Sequence, residues 1–236
     1  MAHSRTSSAA ARRPFAPKRY TWRHDSALAT LHPMLTARVD AQNALTPKRN
    51  APRPIKFVKE GEGKARAQRG HTVLPHHHLL AGANDWQLLV DYDHAQVVFP
   101  PVICSTAERP DVVLWSCTTK VVILAELTVP AEENIEAAQD RKQHRYLPLK
   151  RQCAHPDHGW TCHLLTFEVG HRGVPALTLV ALFRALGVPK SVAGRASQAV
   201  STTVQRCSYA IFLAHKSAEW PHRDLVVQKF AHEGSN

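Results

Sequence analysis

An α/β (α+β) domain, with a mixed central sheet flanked by helices, is the fold this chain predicts from about residue 73 onward. Three observations predict it. Apolar, β-branched runs at 111–116 and 121–129 are separated by the polar segment 117–120, which reads as a hairpin. A helix opening follows at once: Pro130 suits a first helical turn, and Glu132 and Glu133 suit its positive end. A further strand at 162–169 is then followed by two helical segments, so strands and helices belong to one unit.

Taken in order, residues 1–20 are rich in Ser, Ala, Arg and Pro and read as disordered. A short helix is expected over 20–39, where Leu28, Leu31, Leu35 and Val39 recur at three- and four-residue spacing. Pro47, Pro52 and Pro54 then break the chain into an extended linker. One short strand is expected at 54–58, with a charged, glycine-containing loop reaching Gly70. His76, His77 and His78 read as an exposed linker tract. Segments 85–92 and 97–99, around a polar turn at 93–96, predict a first hairpin that Pro100 and Pro101 end. The helix opening at Pro130 should run to about Tyr146, because Pro148 lacks the N–H a continuing helix needs. A helix over 175–185 ends at Gly187, with Pro189 just beyond. The last helix, about 191–215, places Val192, Ala196, Val200, Val204, Cys207 and Ile211 on one stripe. The organisation expected is a basic, largely disordered arm at 1–72, a domain at 73–220 and a flexible tail at 221–236.

With 236 residues and a 44% hydrophobic fraction, the chain can bury one substantial core and carry an extension. Five irregularly spaced cysteines do not read as a disulfide framework, so a reduced, intracellular setting is expected. Residues 1–23 contain no apolar secretory core, and the longest apolar stretch, 174–183, is too short to cross a bilayer. The net charge of +11 is unevenly placed: residues 1–72 hold 15 Lys/Arg against 4 Asp/Glu, and residues 73–236 hold 15 of each. A basic arm of this kind suits a polyanion, with DNA the expected partner and RNA a further one, unless the arm is a solvated tail without a partner.

The most informative pair of side chains is Asp111 and Glu126, fifteen positions apart, each at the edge of a strand apolar enough to be buried. In an antiparallel hairpin the start of one strand lies beside the end of its partner, so the two acids converge. Burying two carboxylates together is costly without a compensating cation, and a divalent metal is the obvious one. The bland alternative is that Asp111 merely opens a strand and Glu126 pairs with an arginine. On the following helix, positions 135, 138, 142, 146 and 149 share one face. Ile135, Ala138, Tyr146 and Leu149 make that face apolar, and Lys142 is its charged exception. A lysine there needs a carboxylate or phosphate partner, or it must snorkel to solvent. Glu132, Glu136 and Gln143 fall on the opposite face and read as solubilising.

The order Arg109-Pro110-Asp111, polar turn, apolar strand, Glu126-Leu127-Thr128-Val129, then Arg141-Lys142 and Arg145-Tyr146, resembles the PD-(D/E)XK restriction-endonuclease-like superfamily. More narrowly, it is similar to the endonuclease at the C-terminal end of non-LTR-type retroelement reverse-transcriptase polyproteins. Segments 82–86, 99–100, 159–160 and 168–173 and the end of the helix at 186–187 resemble the same group. Upstream, 19–25 and 57–61 resemble the link between polymerase and nuclease. The resemblance spans residues 20–220, without any polymerase motif. It implies a restriction-endonuclease-like sheet, an activity that nicks target DNA to prime reverse transcription, and nuclear location. It also implies Mg²⁺ or Mn²⁺ held by Asp111 and Glu126, with Lys142 as the catalytic lysine and Tyr146 beside it. Arg109, Arg141 and Arg145 become the expected DNA contacts. Thr128 stands where the superfamily usually has a lysine, which makes Lys142 essential. Asp140 and His171 stand where Glu and Cys are usual. A catalytically inactive nucleic-acid-binding relic, or a decayed fragment, would carry the same residues.

An early acid often completes such sites, and Asp85 and Asp91 are the candidates here. Arg172, between glycines after the strand at 162–169, could meet a DNA phosphate or pair with Glu168 or a helix end. Cys153, His155, His158 and Cys162, with His163 adjacent, supply zinc-capable ligands, but at spacings unlike a standard finger.

Overall fold

A computed structural model describes residues 16–45, 78–93 and 97–214 of the chain. Its elements are α1 (Ala16–Asn43), β1 (Gln87–Val90), β2 (Val112–Ser116), β3 (Val121–Thr128), a 3₁₀ turn (Glu132–Asn134), α2 (Ile135–Cys153), β4 (Thr161–Glu168), α3 (Leu177–Ala185) and α4 (Lys190–Leu213). The sheet runs β1-β2-β3-β4. Its first two pairings are antiparallel and the third is parallel, with α2 as the crossover the parallel pair requires. This is a mixed α+β architecture.

Strand alternation sorts the core onto two faces. Val112, Leu114, Ile123, Ala125, Leu127 and Phe167 point toward α1, α3 and α4. Val113, Trp115, Val122, Leu124 and Cys162 point toward Tyr146, Leu149 and Cys153 of α2. The sheet therefore lies between helices on both sides, and β2 is buried at all five positions.

The hairpin expected at 111–129 is present, with Val112 opposite Ala125. The one expected at 85–92 and 97–99 is not. β1 covers only four residues and takes β2 as its partner, Gln87 opposite Trp115, while 97–99 carry no strand. Phe99 uses its side chain in the α2-facing core, so burial in that segment comes from one ring and not from a backbone ladder.

The largest departure concerns the arm. The short helix expected there is 28 residues long, and Ala27, Leu28, Leu31, Leu35 and Val39 are buried against the sheet. Polar side chains fasten it along its length. Arg19 donates to the Ala214 carbonyl, Arg23 to Ser208 Oγ and the Val129 carbonyl, and Gln42 to the Ala83 carbonyl. Residues on both sides of position 72 share one core, so α1 belongs to the domain. Order also begins earlier than a boundary at 73 implies.

Pro148 does not stop α2, which continues to Cys153. Pro148 is exposed, while Leu149 and Cys153 beyond it are buried, and their packing offsets the lost hydrogen bond. Pro33 sits exposed inside α1 in the same way. At the end of α3, Gly187 adopts φ 68° while Val188 N–H reaches the Phe183 carbonyl and Gly187 N–H the Arg184 carbonyl. The helix thus ends at Gly187 as expected, in a Schellman cap. His78 leans over it so closely that a Cβ at 187 would lie 2.5 Å from its ring, and Arg38 stands alongside. His78 is thus half-buried and not part of an exposed tract. The stripe on α4 is present through Val200, Val204 and Cys207, with Ile211 half-buried. The disorder expected at the N-terminus, the strand at 54–58, the loop to Gly70 and the tail at 221–236 fall, apart from 16–20, outside the described residues.

Candidate active site

Asp111 lies one residue before β2 and Glu126 two before the end of β3, so the antiparallel register brings them to the same end of the sheet. Their meeting is direct. The Asp111 N–H donates to Glu126 Oε1 at 3.0 Å, and the Leu127 N–H donates to Asp111 Oδ2 at 2.8 Å. Glu126 is fully buried, and Asp111 is 9% exposed.

Lys142 supplies the cation that such a pair demands. From the inward face of α2 its Nζ stands 2.6 Å from Glu126 Oε2 and 3.4 Å from Asp111 Oδ2. The apolar residues around it on that face, Ala138, Tyr146 and Leu149, are buried as the helical spacing predicts. Burial opposes the ammonium charge, but Asp111 and Glu126 outweigh it and hold the pKa above the usual lysine value. The two acids respond in opposite directions. Burial and the neighbouring Asp111 push Glu126 up to about 8. Burial would raise Asp111 too, yet hydrogen bonds and charge from His24, then Lys142 and the Leu127 amide, hold it below the usual carboxylate range.

His24 is the residue that sequence reasoning missed. Its Nε2 is 3.2 Å from Asp111 Oδ2 and its Nδ1 is 3.2 Å from Asp25 Oδ1. Burial would lower its pKa, but the two carboxylates raise it to about 9. A signal existed: His24 precedes Leu28 by four positions and Leu31 by seven, which puts it on the buried stripe of α1. The spacing that predicts the helix over 20–39 starts at Leu28, so the stripe was not carried back one turn to His24.

The other expected site residues are less directly placed. Tyr146 borders the site with its ring 5.8 Å from Lys142 Nζ, but its hydroxyl donates to the Arg109 carbonyl, which braces the approach to Asp111. Burial raises its pKa, so it stays protonated. Arg109 forms a bidentate pair with Asp91. Arg145 lies over the Tyr146 ring and pairs loosely with Glu108. Arg141 is exposed on α2. Arg172 is exposed as well, and pairs with Glu132 and not with Glu168. Glu132 is more than a solubilising charge: it accepts the Arg172 N–H, pairs with His171, and overlies Gly170, where a Cβ would sit 2.5 Å from its carboxylate.

Neither early acid completes the site. Asp85 binds Ser116, Thr118 and their turn at the opposite end of β2. Asp91 is close by, its N–H on the Asp111 carbonyl, but its carboxylate is taken by Arg109. Thr128, in the position of the superfamily lysine, offers a buried hydroxyl with no hydrogen-bond partner among the described residues. The zinc candidates do not assemble. Cys153 is buried with Cys104 (Sγ–Sγ 3.7 Å) and Cys162, whereas His155 is exposed and pairs with Asp157, and His158 is at least partly exposed. Buried thiols of raised pKa behave as inert core residues.

Among the described residues no three His, Cys, Asp or Glu side chains gather closely enough to enclose a metal ion. Two adjacent carboxylates do fit a Mg²⁺-type ion, which commonly binds through one or two carboxylates and completes its shell with water and substrate phosphate. Asp111 and Glu126 are the residues that would hold it. Among the described residues no helix is long and apolar enough to cross a membrane. No family model matches the chain, and neither a curated protein nor a solved structure does.

Proposed function

We propose that this chain is a Mg²⁺- or Mn²⁺-dependent DNA endonuclease of the PD-(D/E)XK restriction-endonuclease-like type, derived from a non-LTR-type retroelement. It nicks target DNA, in the nucleus, so that the freed 3′ hydroxyl primes reverse transcription. The observation that carries the reading is one lysine bridging two buried carboxylates at the end of the sheet, 2.6 and 3.4 Å away. A lysine is not needed there for packing, and the site concentrates charges that only a cation or a phosphate can exchange with. The mixed sheet between helices supports the superfamily part of the reading. The positive excess on residues 1–72 supports a polyanionic partner, DNA first and element RNA second.

Asp111 and Glu126 would hold the ion, which would supply polarisation of the phosphoryl group and a more acidic attacking water. Lys142, beside both carboxylates, would orient the attacking water and offset the negative charge that builds on the phosphoryl oxygens. Tyr146 keeps the 109–111 backbone in place through the Arg109 carbonyl. Arg141, Arg145 and Arg172, all exposed, contact DNA phosphates.

Nicking of supercoiled plasmid with Mg²⁺ or Mn²⁺, against an EDTA control, tests the reading. Asp111→Ala should lose nicking by at least about 100-fold, with thermal unfolding run alongside to check that the variant is folded. Undiminished metal-dependent nicking by that variant, or salt-sensitive DNA binding without any cleavage by the unaltered chain, would overturn the enzyme reading.

A further inference from the structure

We infer that His24, backed by Asp25, is a positioning residue of this site, and that α1 is thereby part of the active site. The inference rests on the metal-site reading proposed above. Three donors meet on a single oxygen: Leu127 N–H at 2.8 Å, His24 Nε2 at 3.2 Å and Lys142 Nζ at 3.4 Å all address Asp111 Oδ2. Oδ1 accepts no hydrogen bond among the described residues. With one oxygen pinned, the carboxylate can rotate little, and the other is left to a ligand.

Of the three donors, Lys142 must change partners if an ion takes up the carboxylate charge, whereas Leu127 and His24 can keep theirs. His24 is well held for that task. Asp25 Oδ1 stands 3.2 Å from its Nδ1, and Asp25 Oδ2 in turn accepts the Asp93 N–H at 3.2 Å. Both ring nitrogens are therefore committed, one to the metal-ligating acid and one to a carboxylate anchored by backbone. Outer-shell arrangements of this kind fix the orientation of ligating groups. The helix beneath is fixed too: Arg23, the neighbouring residue, ties α1 to the Val129 carbonyl at the end of β3 and to Ser208 of α4. Leu28 and Leu31, on the same face as His24, are fully buried or nearly so. A displacement of α1 would thus be felt at Asp111 through a single hydrogen bond.

The test uses the whole chain and a readout that does not depend on catalysis. Binding of Mn²⁺ alone is followed by the loss of the free-ion paramagnetic resonance signal, alongside nicking over a Mn²⁺ titration and thermal unfolding. His24→Ala should weaken Mn²⁺ binding by about 10-fold or more. The Mn²⁺ concentration for half-maximal nicking should rise by a similar factor, with a smaller change in rate at saturating ion. Asp25→Asn should shift both in the same direction by less. Mn²⁺ affinity unchanged in a folded His24→Ala, on an unaltered chain that does bind, removes the inference and leaves the metal site standing. Should His24→Ala fail to fold, unchanged affinity in Asp25→Asn removes it equally. An unaltered chain that binds no Mn²⁺ overturns the metal-site reading, and the inference with it.

Discussion

The two ends of the β2–β3 hairpin each carry aspartate chemistry, and they use it in opposite ways. At the turn end, Asp85 accepts from Ser116 Oγ, from the Thr118 amide and from Thr118 Oγ1, all neutral donors in a half-exposed setting. At the open end, Asp111 and Glu126 are buried and answered by Lys142 and His24. Neutral donors satisfy a carboxylate permanently and lock a turn. The Lys142 ammonium satisfies one provisionally, because another cation can take its place. The contrast separates an acid that builds the fold from acids that can do chemistry. Glu168 sharpens it: although fully buried, it has a short bond from Thr178 Oγ1 and no cation beside it among the described residues, and burial raises its pKa. Burial alone does not make a metal site.

The largest effect expected at the open end, after loss of Asp111, comes from Lys142→Ala. Removing the cation leaves Glu126 without its ion-pair partner and Asp111 with His24 alone. Because the lysine side chain is 21% exposed, solvent relieves part of the 3–5 kcal/mol typical of a broken buried pair, and about 2–3 kcal/mol of destabilisation is expected. Denaturant unfolding should show it, Mg²⁺ should restore much of it, and nicking should fall by at least about 100-fold. An equal loss with and without Mg²⁺ would break the idea that a metal ion can stand in for the Lys142 charge.

A pH series separates the ends next. Below about pH 4.5 Glu126 is protonated in folded and unfolded chains alike. Between there and about 8 the unfolded chain releases the proton and the folded one keeps it, so metal-free stability should fall as pH rises. His24, raised to about 9, adds a loss in the same direction from its ordinary value upward. Glu126→Gln should remove the first component and keep the second, and Mg²⁺ should flatten the whole profile. Melting temperatures across pH 5–9 would show this, and a profile insensitive to both changes would count against a strained Glu126.

The smallest effect belongs to the turn end. Asp85→Ala should cost about 1–2 kcal/mol through its lost hydrogen bonds, with the response to Mg²⁺ unchanged. A shifted metal response there would show that the two ends are coupled through β2.

Legibility followed the range of the interactions. Asp111, Glu126 and Lys142 could be placed because hairpin register and the helical period are short-range rules, and all three lie within 32 residues. The parallel β3–β4 pair and the pairing of β1 with β2 depend on which edges are free once helices have packed. Pro148 misled because the rule it obeys is local, whereas the packing of Leu149 and Cys153 that carries α2 past it is not.

By itself the sequence determined the β2–β3 hairpin, the convergence of its two acids, the inward face of α2 and the concentration of positive charge before residue 73. Each follows from periodicity or composition within a short window. Tertiary structure alone decided that α1 is core and not arm, and that His24, 87 residues before Asp111, closes the site. The apolar stripe of α1 states only that a face will be buried. What it is buried against, and which polar residue lies at its end, depends on a sheet that forms far away in the chain.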